Sequence, residues 1–310
     1  MRGNSRLERC RPKPETHRVR WKKITLVGVG LVGGSLGMAL RQRRLAKSVV
    51  GFVRRAASVT GCKKQGAVDL ATRDLGRAVE GADLIVLCTP IAQMRGLVEQ
   101  MLPALDVGVI VTDVGSVKGS VVRELEPLLE RVGASFVGSH PMAGAERTGV
   151  SAAQADLFRG AVCVVTPTKR TNPAALRSVQ RLWRAVGGRV TEVSPELHDA
   201  LVSRSSHLPH LVAVALASSV LDPHRPKSLS QLCANGFRDT TRIASGSPEM
   251  WRDIALANRK HLRVALDEFV RELQRLQTML RRGRAAEISR LFETAKRQRD
   301  AWCVRHASPE

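Results

Sequence analysis

Short apolar runs alternate with helix-like stretches along the chain from Ile24 onwards. Most of these runs are continuous rather than interrupted by polar residues, which is typical of strands covered on both faces. Strands are therefore predicted at Ile24–Val29, Val49–Val53, Leu84–Cys88, Val109–Val114, Phe136–Gly138 and Ala161–Thr166. Helices are predicted between them, at ranges that include Gly34–Arg44, Ala92–Leu102 and Val117–Arg131. This order of elements predicts an α/β domain with a doubly wound parallel sheet.

After about Pro195 the strand signals stop and only helical spacing remains. The longest periodic stretch is Glu249–Arg281, in which apolar residues recur at Ile254, Leu262, Leu266, Phe269, Leu273, Leu276 and Leu280. Breaks between helices are expected near Asp222–Pro226 and near Gly283. Apolar stripes of this kind need a partner surface, so we predict an all-helical domain that forms a homodimer.

The net charge is the most unusual global property of the chain. Lys and Arg total 50 against 28 Asp and Glu, which gives a formal net charge of +22. Aromatic residues make up only 3% of the chain and tyrosine is absent, so the basic segments lack the stacking residues of single-strand binders. Nucleic-acid binding is therefore disfavoured. A positive field would instead attract small polyanions such as a dinucleotide or a dicarboxylate.

The six cysteines are scattered, with no C-x-x-C pair and no His/Cys cluster at metal-ligand spacing. This usage predicts reduced thiols, as in a reducing cytoplasm, and no metal site. No apolar run approaches the roughly 20 residues that span a bilayer. We therefore expect a soluble, cytoplasmic protein that makes no membrane contact.

A glycine-rich turn follows the first predicted strand and opens the first predicted helix. It reads Gly28-Val29-Gly30-Leu31-Val32-Gly33, which matches the G-x-G-x-x-G dinucleotide fingerprint in its proper context. Gly28 permits the tight turn, Gly30 lets the backbone approach a pyrophosphate, and Gly33 allows close helix packing. The N–H groups of the helix N-terminus, around Leu31 and Val32, are then available to the anion. The sequence predicts a Rossmann-type nucleotide-binding domain.

Two domains follow from these observations, because 310 residues exceed the usual size of one. Residues 1–20 are basic and poor in apolar side chains, and we predict a disordered extension there. Residues 21–193 are predicted to form the dinucleotide-binding domain. Residues 194–310 are predicted to form the helical substrate and dimerisation domain.

The second predicted strand carries the signal for the choice of cofactor. An acidic residue at its end would bind the ribose 2′-hydroxyl of NAD. Here the strand through Val53 runs instead into Arg54-Arg55, which suits the 2′-phosphate of NADP. NADP is therefore the preferred cofactor, with NAD as the alternative. Thr89-Pro90, after the strand through Cys88, is expected to lie near the nicotinamide.

Histidine and arginine supply the candidate chemistry. His140 lies at a predicted strand end beside Pro141, where an imidazole can transfer a proton near neutral pH. His207 and His210 share one side of a helix. Arg242 suits bidentate recognition of a carboxylate. The competing interpretation is a buried structural role for His140, metal binding for His207 and His210, and an ion pair for Arg238 or Arg252.

A set of segments in this order carries a resemblance to a known family. They are the fingerprint at Gly28, Asp113–Lys118, Gly138–Gly144, Ser206–His210 and Arg238–Trp251. Together they make the chain resemble the prephenate/arogenate dehydrogenases of tyrosine biosynthesis, over residues 24 to about 300. The resemblance implies NAD(P)-dependent oxidative decarboxylation of prephenate to 4-hydroxyphenylpyruvate.

The same resemblance implies a role for each site residue. His140 would accept the proton of the substrate's ring hydroxyl, and Ser116 would orient both groups. The implied substrate-binding residues are Arg242 for a carboxylate, Ser206, His207 and His210 for the side-chain end of the pocket, and Trp251 for its wall.

Other activities remain open at this point. Arogenate, which carries an ammonium where prephenate has a keto group, is the first alternative substrate. A 3-hydroxyacid-type dehydrogenase would share the two-domain plan, but no lysine in the helical half stands in a comparable catalytic motif. A nucleotide-sensing or nucleic-acid-binding protein without catalysis is the alternative from another class.

Overall fold

The computed structural model describes residues 21–144 and 147–306. The basic extension predicted over residues 1–20 lies outside the described residues. The first domain is built on a sheet of eight strands. They are β1 Trp21–Val27, β2 Ala46–Phe52, β3 Leu70–Thr72, β4 Leu84–Leu87, β5 Ile110–Asp113, β6 Ser135–Pro141, β7 Val162–Thr166 and β8 Arg189–Glu192.

Helices cover both faces of this sheet. They are α1 Leu31–Gln42, α2 Ala56–Lys64, α3 Leu75–Val79, α4 Ile91–Met101, α5 Gly119–Glu130 and α6 Pro173–Ala185. The strand β4 shows why its apolar run is continuous. Leu84 and Val86 enter the core on one face, whereas Ile85 and Leu87 enter the core on the other. The predicted doubly wound α/β sheet is therefore confirmed.

The strand order is β3-β2-β1-β4-β5-β6-β7-β8, and β1 to β6 run parallel. The expectation of a parallel sheet is wrong for β7, which pairs antiparallel with β6. The reason is the connection, because a parallel return needs a long crossover, usually a helix. The described part of the connection contains only a short 3₁₀ turn at Val150–Ala152.

Two strands escape the sequence pattern. The strand β3 has only three residues, and β8 is polar and lies at the sheet edge with no residue fully buried. The strand β6 is also longer than the predicted Phe136–Gly138. Its later residues pair with β7, where His140 lies opposite Val164.

The second half of the chain is helical, as predicted. Its helices are α7 Pro195–Val202, α8 Leu208–Val220, α9 Lys227–Gln231, α10 Asn235–Thr241, α11 Pro248–Ala257, α12 Arg259–Arg281 and α13 Ala285–His306. A π-helical turn at Ser203–His207 joins α7 to α8. Among the described residues, no helix combines the length and apolar character that crossing a membrane requires.

The predicted breaks occur near Asp222–Pro226 and at Gly283, which has a φ of 60°. The periodic stretch Glu249–Arg281 is helical but forms two helices, which meet at the buried Asn258. The Asn258 amide Nδ2 donates to the Asp199 carbonyl at 2.9 Å and faces His207 Nδ1 at 3.1 Å. The side chain at this break therefore contacts both α7 and the π-helical turn that follows it.

Candidate active site

A cavity of about 550 Å³ lies at the carboxyl edge of the sheet. The strand order reverses between β1 and β4, so the loops after these two strands diverge from a shared point and leave a crevice. The loop after β1, the ends of β4 and β6, and residues of α8 and α11 line the cavity. The site thus lies between the sheet and the helical half.

The glycine turn forms one end of the cavity. Gly28 has a φ of +101°, and a Cβ there would lie 2.8 Å from the Cys88 carbonyl oxygen. A Cβ on Gly33 would lie 2.2 Å from the Gly28 carbonyl oxygen, so α1 could not begin this close to β1. A Cβ on Gly30 would meet nothing within 4 Å, and Gly30 lines the cavity. Backbone is therefore open to a ligand at this position.

The first turn of α1 completes this end. Gly30 is the N-cap residue, and no side chain caps the helix. Leu31 and Val32, the first residues of α1, also line the cavity. Because the first N–H groups of a helix lack intrahelical acceptors, this turn suits an anion.

Thr89 and Pro90 line the cavity after β4. The Thr89 hydroxyl is buried without a hydrogen-bond partner, which is costly unless a ligand supplies one. Burial raises the pKa of the neighbouring Cys88 thiol, so this thiol stays protonated at neutral pH. The open glycine turn, the uncapped helix and the orphaned hydroxyl together fit a nicotinamide dinucleotide.

Arg54 and Arg55 follow β2, outside the cavity lining, and both are exposed. Arg55 is the N-cap residue of α2. Arg73, after β3, donates from Nε to the Arg54 carbonyl at 3.2 Å. A third arginine, which the sequence interpretation had not singled out, therefore lies beside the predicted pair.

Buried polar side chains hold the end of β6 against β5. Lys118 Nζ is ion-paired with Asp113 and donates to the Ser139 carbonyl at 2.8 Å. Asp113 Oδ1 accepts from the Ser139 N–H at 3.0 Å, and the Ser139 hydroxyl donates to the Asp113 carbonyl at 2.6 Å. These bonds continue beyond the last β5–β6 backbone pair at Thr112 and Val137. They fix the segment that carries His140.

His140 is almost wholly buried and lines the cavity. Its Nδ1 lies 2.9 Å from His198 Nε2, and His198 Nδ1 lies 2.8 Å from Asp199 Oδ1. Burial lowers the pKa of His140 well below its usual value, and the positive charge of the nearby Lys118 lowers it further. The imidazole is therefore neutral at physiological pH and able to accept a proton.

Three of the other predicted site residues also line the cavity. Ser116 lines the cavity in the loop after β5. His210 and Trp251 also line it, and their rings stack with centroids 3.4 Å apart. Gly246 permits this arrangement, because a Cβ there would lie 2.6 Å from Trp251 Nε1. Part of the cavity wall is therefore a stacked pair of aromatic rings.

The remaining predicted residues do not line the cavity. His207 is buried behind the wall, with its ring edge-on to Trp251 at 6.1 Å. Ser206 is half-buried on the adjoining π-helical turn. Arg242 is exposed and begins the 3₁₀ turn that contains the cavity-lining Ile243.

Sequence reasoning missed three groups of chemical interest: Arg147, His198 and Asp199. Arg147 lines the cavity from the loop after β6. His198 and Asp199 carry no local signal in the sequence, because the contact between His198 and His140 spans 58 positions. Within the described residues, no group of His, Cys, Asp or Glu is arranged to hold a metal ion.

Comparison with known proteins agrees with this architecture. A family model described as the prephenate dehydrogenase nucleotide-binding domain matches residues 36–192. The model of the prephenate dehydrogenase dimerization domain matches residues 194–294. The prephenate dehydrogenase of Bacillus subtilis is 35% identical over 287 residues, which cover 91% of this chain and 76% of the relative.

Solved structures give the same result. The prephenate dehydrogenase of Aquifex aeolicus in complex with hydroxyphenyl propionate and NAD⁺ has a TM-score of 0.85 and 34% identity, covering 90% of this chain and 98% of that one. The arogenate dehydrogenase of Synechocystis has a TM-score of 0.77 and 32% identity, covering 90% and 99%. The chain therefore belongs to the prephenate/arogenate dehydrogenase family.

Proposed function

We propose that this chain catalyses the NAD(P)-dependent oxidative decarboxylation of prephenate to 4-hydroxyphenylpyruvate in tyrosine biosynthesis. The observation that carries the proposal is the neutral, buried His140 on the same cavity as the open glycine turn. A base and a dinucleotide cradle on one cavity suit the removal of a proton and a hydride from one alcohol. The names of the relatives support the same reaction.

The bound nicotinamide dinucleotide would take up the hydride from the ring carbon that bears the hydroxyl. Gly30, Leu31 and Val32 would hold its pyrophosphate, and Thr89 and Pro90 would lie beside its nicotinamide. His140 Nε2 accepts the hydroxyl proton as that carbon becomes a carbonyl. Carbon dioxide then leaves from the opposite ring carbon, and its bonding electrons make the ring aromatic. The ring oxygen recovers its proton from His140, so the reaction releases none.

Ser116 orients the ring hydroxyl toward His140, and the stacked His210 and Trp251 pack beside the ring. We assign Arg242 to a substrate carboxylate and Ser206 and His207 to support of the wall. Arg147 adds a cation at the lining. Cations at and beside a partly closed cavity bind a dianion without having to neutralise it by protonation.

Prephenate is preferred over arogenate because of the charges at the cavity. The ammonium of arogenate calls for a carboxylate partner. Among the described lining residues, Asp253 is the one carboxylate near the helical wall, and it already pairs with Arg252 at 2.7 Å.

The test combines the purified protein with each pairing of prephenate or arogenate with NADP or NAD. Absorbance of the reduced nicotinamide and release of carbon dioxide are followed together. With prephenate, reduced nicotinamide and carbon dioxide are expected in equal amounts. Failure to reduce either cofactor with either substrate would refute the proposed function. Faster turnover of arogenate than of prephenate would assign arogenate as the substrate.

NADP is the proposed preferred cofactor, on the strength of the exposed Arg54 and Arg55 and their neighbour Arg73. Replacing Arg54 and Arg55 together with serine should raise the KM for NADP about tenfold or more, as expected for loss of charge-assisted hydrogen bonds. The KM for NAD should change little. Arg181→Ser, at an exposed position on α6, is the matched control. A wild-type preference for NAD would overturn this choice.

We also propose that residues 194–310 form a dimerising domain, as in the family model. Exposed apolar side chains on α12 and α13 support this, including Val270, Leu273 and Phe292. Analytical ultracentrifugation should give a dimer, and Leu273→Glu should shift it toward monomer. The described cysteines are all free, which supports a cytoplasmic location.

A further inference from the structure

A chain of hydrogen bonds runs from the cavity into the helical domain through His140, His198 and Asp199. The two ring nitrogens that face each other, His140 Nδ1 and His198 Nε2, are 2.9 Å apart. The rings meet edge to face, with centroids 5.1 Å apart at 68°. His198 and Asp199 belong to α7, whereas His140 lies on β6. The chain therefore crosses from one domain to the other.

The direction of the protons in this chain follows from Asp199. Its Oδ1 accepts from the Lys118 N–H at 2.7 Å, and its Oδ2 accepts from the Gly119 N–H at 2.8 Å. Burial alone would raise the pKa of Asp199, but the hydrogen bonds from His198, Lys118 and Gly119 outweigh it and hold this pKa below its usual value. An ionised carboxylate only accepts, so the proton between it and His198 belongs to His198 Nδ1.

The next two steps follow from the tautomers of imidazole. A neutral His198 with its proton on Nδ1 has a lone pair on Nε2, which can only accept. His140 Nδ1 must then donate to it. A neutral His140 with its proton on Nδ1 has its lone pair on Nε2, the nitrogen left for the cavity that His140 lines. With His198 neutral, the carboxylate thus selects the tautomer of His140 whose free lone pair is on Nε2.

We propose that His198 is a positioning residue that holds His140 in the tautomer and orientation required of the base, and that Asp199 orients His198. This inference rests on the proposed function in assigning the base to His140. In this arrangement α7 takes part in catalysis, because His140 is a competent base only when His198 on this helix accepts its Nδ1 proton. Asn258 reinforces that contact by donating to the Asp199 carbonyl at 2.9 Å.

Two replacements of His198 separate positioning from mere filling of space. His198→Leu removes the acceptor for His140 Nδ1, and kcat with prephenate should fall on the order of 10²–10³-fold with little change in KM. His198→Gln can place Oε1 where Nε2 was, so it should recover at least about tenfold of that loss. His224→Leu, at an exposed position, is the matched control and should retain wild-type kinetics. Equal kcat values for the Leu and Gln variants would overturn the proposal.

A second readout is independent of turnover. Nitrogen NMR of protein labelled in its histidine rings, assigned by comparison with His140→Asn, should show His140 protonated on Nδ1 in the wild type. In folded His198→Leu this preference should be lost. A wild-type His140 protonated on Nε2 would overturn the proposal. If neither substrate were oxidised, the proposed function would fail, and the NMR result alone would still decide the inference.

Discussion

The two ends of the cavity differ in the groups that they offer to a ligand: one offers mainly backbone, and the other offers side chains. The glycine-turn end presents backbone and uncharged side chains from residues that are close in sequence, Gly30 to Val32. The base end presents titratable and aromatic side chains from both domains, including His140, His210 and Trp251. Gly28 and Gly33 at this end have no room for an added Cβ, and the backbone groups do not change protonation. The base end depends in addition on which ring nitrogen of His140 carries a proton.

The largest expected effect tests the base end. His140→Asn removes the proton acceptor but keeps a polar side chain, so kcat should fall on the order of 10³-fold, in the range for general bases. The KM for prephenate should change little, because binding depends on other groups. Steady-state kinetics with saturating cofactor measures both values. Near wild-type turnover would show that His140 is not the base.

The next effect tests the glycine-turn end. Gly33→Ala would place a Cβ 2.2 Å from the Gly28 carbonyl oxygen, so the turn must move. We expect dinucleotide affinity to fall on the order of 100-fold, which equals about 3 kcal/mol. Fluorescence titration with the reduced cofactor measures it.

Gly96→Ala is the matched control for that variant. A Cβ on Gly96, which lies inside α4, would meet nothing within 4 Å. This substitution should leave the affinity for the dinucleotide unchanged. It should raise the free energy of unfolding by about 0.5–1 kcal/mol, because alanine has a higher helix propensity than glycine. Unaltered cofactor binding in Gly33→Ala would contradict the close-packing account of the turn.

A smaller effect is expected at Arg242. Arg242→Gln should raise the KM for prephenate about 10- to 100-fold with a modest change in kcat, as for the loss of a charge-assisted hydrogen bond. Arg238→Gln, at an exposed position on the preceding α10, is the control. Arg147→Gln tests the cation that lines the cavity. If Arg147→Gln raised KM and Arg242→Gln did not, the carboxylate would be assigned to Arg147.

The last prediction concerns how the free energy of unfolding depends on pH. Burial lowers the pKa values of His140, His207 and His210, and that of His207 falls to about 4. The unfolded chain, with histidine pKa values near 6.5, therefore binds more protons than the folded chain below that pH. The free energy of unfolding should be level near pH 7 and fall as the pH drops below about 6.5, with His207 alone accounting for roughly 3 kcal/mol by pH 4.

Urea unfolding at a series of pH values measures this loss. His207→Gln should make the pH dependence shallower, whereas His224→Gln, at an exposed position, should leave it unchanged. A stability that is constant down to pH 4 would mean that these rings are hydrated. The pH dependence of activity should also reflect the lowered pKa of His140, because a base with a lowered pKa remains neutral at more acidic pH. The acidic limb of kcat/KM should therefore lie below pH 6.5.

The sequence predicted best where the physics is local. The continuous apolar strands, the glycine turn after β1 and the helical second half all follow from neighbouring residues. It predicted worse where a distant partner decides. The strand β6 continues past Gly138 because β7 pairs with it, and the periodic stretch Glu249–Arg281 divides at Asn258, whose side chain bonds to the distant Asp199. The polar edge strand β8 has no apolar pattern to reveal it.

The active site divides in the same way. Sequence alone determined the nucleotide turn, the family resemblance and His140 as the candidate base, because each depends on short motifs with a fixed local geometry. Only the tertiary structure brought His198 and Asp199 to His140, set Trp251 against His210, and left Arg242 outside the cavity lining. Hydrogen bonds and ring contacts of this kind join residues far apart in the chain. Their geometry is decided by how the two domains pack, which no local pattern encodes.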